Sequence, residues 1–133
     1  MRDSLPVIDR PLSPHISIYR WQTTMCMSIA HRISGVALYF GTIFLTLWLI
    51  SIAYGDDLFY RVDAIYRSFF GQIILFFYTF ALVHHLVGGV RYLCSDVKTS
   101  LLEKNCSMKL SRIALVISVV STFLIWMIAY ILL

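Results

Sequence analysis

The chain has 133 residues, a net charge of +4 at pH 7, 59% hydrophobic residues and only 14% charged ones. That is too little polar surface to cover a water-soluble globule, so the composition excludes a soluble catalytic domain and defines an integral membrane protein. Three stretches, 33–55, 68–90 and 113–133, hold no Asp, Glu, Lys or Arg. With a rise of about 1.5 Å per residue, each is long enough to cross a hydrocarbon layer of about 30 Å.

In chain order, residues 1–22 contain Pro6, Pro11 and Pro14 and no apolar core, which predicts an irregular segment on the cytoplasmic side and no cleaved signal peptide. A first span follows over about 23–53, with Thr23 or Thr24 as the N-cap, and its first two turns put Ser28, His31 and Arg32 at headgroup level. Gly55, Asp56 and Asp57 mark the outer turn, and Asp63 to Arg67 form a short interfacial helix before a second span over about 68–91. A polar connection leads to a third span over about 108–133, capped by Ser107. The whole chain reads as one all-α anchor domain of three transmembrane helices without internal repeats.

The basic residues are distributed by topology and do not form a nucleic-acid patch. Arg2, Arg10, Arg20, Arg91, Lys98, Lys104, Lys109 and Arg112 fall on one side of such a bundle, against Arg61 and Arg67 on the other. The positive-inside rule then puts the amino terminus inside, facing the cytoplasm or the equivalent matrix, and the carboxyl terminus outside. Cys26, Cys94 and Cys106 are odd in number and lack C-x-x-C spacing, so they read as free thiols at the reducing side.

Ionisable groups are costly at membrane depth, which singles out His84 and His85 in the second span. Gly88 and Gly89 lie three and four residues beyond His85, on its helix face. Two readings fit this spacing. An imidazole can ligate the iron of a flat macrocycle where glycines clear the helix surface, or small residues can let helices approach closely while the histidine bonds across an interface. Neighbours on a helix point about 100° apart, so His84 and His85 cannot both serve one iron. The other histidine is expected to bond a carbonyl or a neighbouring helix.

Ser28 and Arg32, four residues apart, share a face and put a hydroxyl and a permanent cation at the inner membrane boundary. The pair suits a lipid-borne carbonyl compound that gains negative charge, as a quinone does. Equally, Arg32 can snorkel to lipid phosphates while Ser28 bonds its own helix. By helical rise His85 sits about 7–8 Å below the inner edge of its span. Propionates of a macrocycle on His85 would then reach toward Arg32 and Arg91, merging the two candidate sites.

Arg10-Pro11-Leu12-Ser13-Pro14-His15 with Ile18-Tyr19, then Ser28-Ile29-Ala30-His31-Arg32-Ile33-Ser34-Gly35, then His85, Gly89, Val90, Arg91 and Asp96 occur in this order. In this the chain resembles the cytochrome b large membrane-anchor subunit of succinate dehydrogenase, respiratory complex II, over nearly its whole length. The resemblance implies that His85, not His84, is an axial ligand of haem b, shared with a second small membrane-anchor subunit. It implies quinone binding by Ser28 and Arg32, completed by the iron–sulfur subunit and the small anchor. Tyr92 and Ser95 depart from the family pattern, which usually has histidine and an aromatic residue there.

The resemblance implies a membrane-anchor subunit of succinate:ubiquinone oxidoreductase. It would hold a flavoprotein and an iron–sulfur subunit at the bilayer, co-bind haem b and pass electrons from succinate to ubiquinone, with no complete active site of its own. His31 is a candidate proton relay, since an unperturbed imidazole titrates near neutrality. The expected location is a bacterial inner membrane or the mitochondrial inner membrane. The rival classes are a haem-free transporter or proton-conducting subunit lined by His31, Arg32, His84 and His85, and a scaffold of the same family that has lost its haem.

Overall fold

The computed structural model describes residues 20–132 and, among these, is entirely helical apart from short joints. Four α-helices follow one another, α1 (Thr23–Tyr54), α2 (Asp56–Arg67), α3 (Phe69–Val97) and α4 (Lys104–Leu132), with a 3-10 turn at Thr99–Leu102 before α4. Helices α1, α3 and α4 are each long and apolar enough to cross a membrane. The motif from Arg10 to Tyr19 and the expected irregular segment up to that point lie outside the described residues.

Helix ends depart from the sequence reading in ways that local chemistry explains. Gln22 takes the N-cap position of α1 without a side-chain bond, so neither Thr23 nor Thr24 caps it. At the far end Gly55, with φ 111, both ends α1 and begins α2; this backbone region is open to glycine and strained for other residues. Helix α2 runs 12 residues from Asp56 instead of starting near Asp63. Asp56 and Asp57 in its first turn and Arg67 in its last complement the helix dipole. Arg67 also donates from Nε to Asp63 Oδ2 at 2.7 Å.

Tyr66 joins α2 to α1 by donating its hydroxyl to the Phe44 carbonyl at 2.7 Å. Burial pushes this phenol above its ordinary pKa. Ser68 caps α3 by accepting from the Gly71 amide at 3.1 Å. At its other end α3 continues to Val97 instead of stopping near residue 91, with the buried Ser95 hydroxyl bonded to the Arg91 carbonyl at 3.0 Å. Helix α4 already starts at Lys104, so Ser107 is a first-turn residue whose amide donates to the Glu103 carbonyl at 2.8 Å and not the expected cap.

Packing is inverted relative to a soluble protein. The outer faces carry exposed Ile, Leu, Val and Phe, whereas the buried positions include Ser34, Ser51, Ser111, Ser118 and Thr122. Lipid solvates apolar surface as well as a neighbouring helix does, so small side chains that permit close approach decide the contacts. Buried hydroxyls satisfy themselves on their own helix: Ser118 donates to the Ala114 carbonyl and Thr122 to the Ser118 carbonyl, both at 2.8 Å.

Helices α3 and α4 run antiparallel in a register fixed by three side-chain bonds. Tyr130 donates to Gln72 near one end, Trp126 Nε1 donates to Thr79 Oγ1 at 3.3 Å, and an Arg91 terminal nitrogen donates to Ser111 Oγ at 3.2 Å near the other. Helices α1 and α3 meet where glycine removes a side chain. A Cβ on Gly41 would run into the Tyr78 ring, and one on Gly88 would run into the ring of His31. Cys26, Cys94 and Cys106 are free thiols, as the sequence indicated.

Candidate functional site

The site grows out of the crossing of α1 and α3, where His31 and His85 lie face to face. Their ring centroids are 4.1 Å apart at 16° between planes. Each ring also bonds the other residue's backbone: His31 Nε2 reaches the His85 carbonyl and His85 Nδ1 reaches the His31 carbonyl, both at 3.2 Å. A carbonyl only accepts, so both of those ring nitrogens carry the proton.

Ser34 reinforces this assignment. Its hydroxyl gives its single proton to the His31 carbonyl at 2.7 Å, so its oxygen accepts from His85 Nδ1 at 3.2 Å. His85 is thereby fixed as the Nδ1–H tautomer, and the lone pair of Nε2 has no hydrogen-bond partner among the described residues. A histidine held by Nδ1–H with a bare Nε2 is the form that ligates a metal, and second-shell bonds of this kind set ring orientation. Gly35 makes room for the ring, because a Cβ there would stand 3.0 Å from His85 Cε1.

The two glycines next to His85 divide the roles proposed for them jointly. Gly88 is buried and accommodates His31, which is the close-approach reading. Gly89 faces open space, with nothing within 4 Å of an added Cβ, which is the cleared surface that the macrocycle reading requires. Sequence reasoning passed over Ser34 and Gly35 as site residues. The available signal was their position three and four residues after His31, on the helix face that meets His85.

Ser28, Arg32 and Gly35 follow at helical spacing on one side of α1, so the serine–arginine pair opens on the side over which the His85 ring lies. Arg32 is exposed and Ser28 half-buried. Unlike Ser34, Ser51, Ser111 and Ser118, Ser28 makes no hydrogen bond to its own helix, so its hydroxyl is uncommitted among the described residues. Arg91 turns elsewhere: it bonds Ser111 on α4 and lies 4.5 Å over the Tyr92 ring. Tyr92 in turn packs edge-on against His31 at 5.3 Å.

His84 contradicts its expectation. It is 3% exposed and stacked on Phe80 at 5.7 Å, yet neither ring nitrogen has a hydrogen-bond partner among the described residues. No three His, Cys, Asp or Glu side chains gather as a metal cluster among the described residues. A metal at His85 therefore has to bring most of its own donors, as iron in a macrocycle does.

Fold and site define a multi-pass helical membrane protein in which the crossing of α1 and α3 presents one oriented imidazole beside a serine–arginine pair. The chain belongs to the succinate dehydrogenase/fumarate reductase transmembrane subunit family, whose family model matches residues 7–126. It is 40% identical over 88 residues to the succinate dehydrogenase cytochrome b556 subunit of Paracoccus denitrificans, covering 66% of this chain and 68% of that protein. To the same subunit of Rickettsia felis it is 33% identical over 121 residues, covering 88% and 90%. To the mitochondrial cytochrome b560 subunit of Sus scrofa it is 35% identical over 103 residues, covering 67% and 54%. The resemblance read from the motifs is borne out as membership of the cytochrome b anchor subunits of complex II.

Removing the Ser34 hydroxyl deletes one of the two acceptors at His85 Nδ1. In the assembled protein with 15N-labelled histidine, solid-state NMR is expected to show His85 protonated at Nδ1. Ser34→Ala is expected to weaken that preference. A parent protein protonated at His85 Nε2 would refute the assignment.

Proposed function

We propose that this chain, as an anchor subunit of succinate:ubiquinone oxidoreductase, binds haem b through His85 jointly with a second small anchor subunit and forms part of the ubiquinone-reducing site. The observation that carries this reading is the His85 ring, tied down at Nδ1 by α1 and bare at Nε2, beside the open surface at Gly89. Those residues fit the group: His85 Nε2 would hold the iron, Gly89 would leave room for the macrocycle beside the helix and Arg32 would pair with a propionate. Arg91 is a weaker partner for a propionate, since it is engaged by Ser111 of α4 and by the ring of its neighbour Tyr92. Haem b, when bound, supplies a one-electron redox centre.

On the quinone side, the uncommitted Ser28 hydroxyl would donate to a carbonyl oxygen, and the fixed charge of Arg32 would stabilise negative charge as it develops. His31 donates from Nε2 to a backbone carbonyl and keeps Nδ1 for passing a proton at the same end. Succinate oxidation belongs to a flavoprotein subunit, and electrons arrive through an iron–sulfur subunit docked on the basic face. In this reading the amino terminus faces inward, the carboxyl terminus outward, and the complex sits in a bacterial inner membrane or its mitochondrial equivalent.

A reduced-minus-oxidised spectrum of the purified complex tests the haem assignment. A sharp α-band is expected, diminished far more by His85→Ala than by His84→Ala. The reverse order would transfer the ligand to His84, and a colourless complex would favour the transporter class. For the quinone site, Arg32→Ala is expected to lower ubiquinone reduction on the order of 10²-fold while succinate oxidation by a soluble dye persists. Equal loss of both activities would remove Arg32 from the site.

A further inference from the structure

Residues Ala81, His84, Gly88 and Ser95 are buried along one face of α3, recurring at helical spacing, and Arg91 falls on the same face. To one side of this face α3 meets α4 through Thr79–Trp126 and Arg91–Ser111, and to the other it meets α1 through Gly88–His31 and the two bonds of His85. The face therefore looks into the centre of the three-helix bundle. There the structure leaves three buried polar atoms without partners, His84 Nδ1, His84 Nε2 and Arg91 Nε. An orphaned buried group forfeits its hydration, and three in one seam are more than close packing tolerates.

The opposite wall is made of small and hydroxyl-bearing side chains. The bonds Gln72–Tyr130 and Arg91–Ser111 set an antiparallel register that brings Ser118 level with His84, between Ser111 and Thr122. Ser111, Ala114 and Ser118 are buried and small. The hydroxyls of Ser111 and Ser118 donate along their own helix and keep lone pairs for acceptance. Among the described residues the charged groups that bear on His84 are His31, His85 and Arg91, all of them basic.

We propose that the centre of the bundle is a water site: ordered water held by His84 and Arg91 of α3 against Ser111 and Ser118 of α4. A water between them would find the imidazole of His84, the Arg91 Nε–H and the lone pairs of the two hydroxyls, within the two to four partners that buried waters require. A residue of another subunit does not substitute, because His84 is sealed inside this chain at 3% exposure. The water completes the hydrogen bonding of Arg91 and holds its guanidinium toward α4. His84 is thus a positioning residue for that cation, while its neighbour His85 points to the opposite role at the α1 crossing.

The sign of a substitution separates this site from a dry one. With water present, His84→Leu strands Arg91 Nε and lowers the thermal midpoint of the detergent-purified native assembly, and His84→Gln, which still donates and accepts, recovers part of the loss. In a dry pocket His84→Leu deletes an unpaired polar group and leaves the midpoint unchanged or raised. A second readout needs no variant. Brief X-ray radiolysis of the parent assembly generates hydroxyl radicals from any water touching a side chain, and oxygen addition at His84 is expected despite its burial. An unmodified His84 alongside modified exposed tyrosines, or a His84→Leu midpoint at or above the parent, overturns the proposal.

Discussion

Two imidazoles and two backbone carbonyls, exchanged between α1 and α3, hold one end of the bundle together. His31 and His85 stack at 4.1 Å and each donates to the other's carbonyl. The exchange fixes helix to helix where no hydrophobic driving force is available, since lipid tails compete equally for apolar faces. It also consumes one nitrogen of each ring, which gives His85 a defined tautomer and direction. Structure and chemistry are coupled at this point: the bonds that pin the crossing are the bonds that free Nε2.

The same economy of polar groups runs through the interior. Hydroxyls of Ser51, Ser118 and Thr122 turn back on their own carbonyls and demand nothing from a neighbour. Glycines at 41 and 88 admit a tyrosine and a histidine ring. Against this background three groups stand out. Among the described residues Ser28 is left uncommitted beside Arg32, His85 keeps a bare nitrogen, and His84 keeps two. Unpartnered polar groups in a membrane protein are costly, which sets these three apart from the self-satisfied hydroxyls around them.

Much of this was legible in the sequence, because long uncharged runs and a helix-breaking Gly55 state spans and turns directly. The family could be read from motifs around Ser28–Gly35 and His85–Arg91, since a histidine and glycine four apart carry a steric meaning on any helix. Helix ends were misplaced. Caps at Thr23 and Ser107 were inferred from residue type, whereas α3 and α4 extend past the apolar runs on polar turns that hydropathy does not see. The jobs of Ser34 and Gly35 depend on which face of α1 meets α3, and Arg91's turn toward Ser111 depends on the α3–α4 register. Both are tertiary facts. His84 shows the limit most clearly: a buried imidazole was expected to find a protein partner, and packing left it none among the described residues.

The orientation of the His85 ring is the centre of this account. A cryo-EM map of the intact succinate dehydrogenase complex, at a resolution that shows side-chain rotamers, tests it most directly. The account predicts His85 Nε2 at the iron of a haem lodged between two anchor subunits, with Nδ1 against Ser34 and the His31 carbonyl. A haem ligated through His31 or His84, or a His85 ring turned into the bundle with no porphyrin beside Gly89, would contradict it.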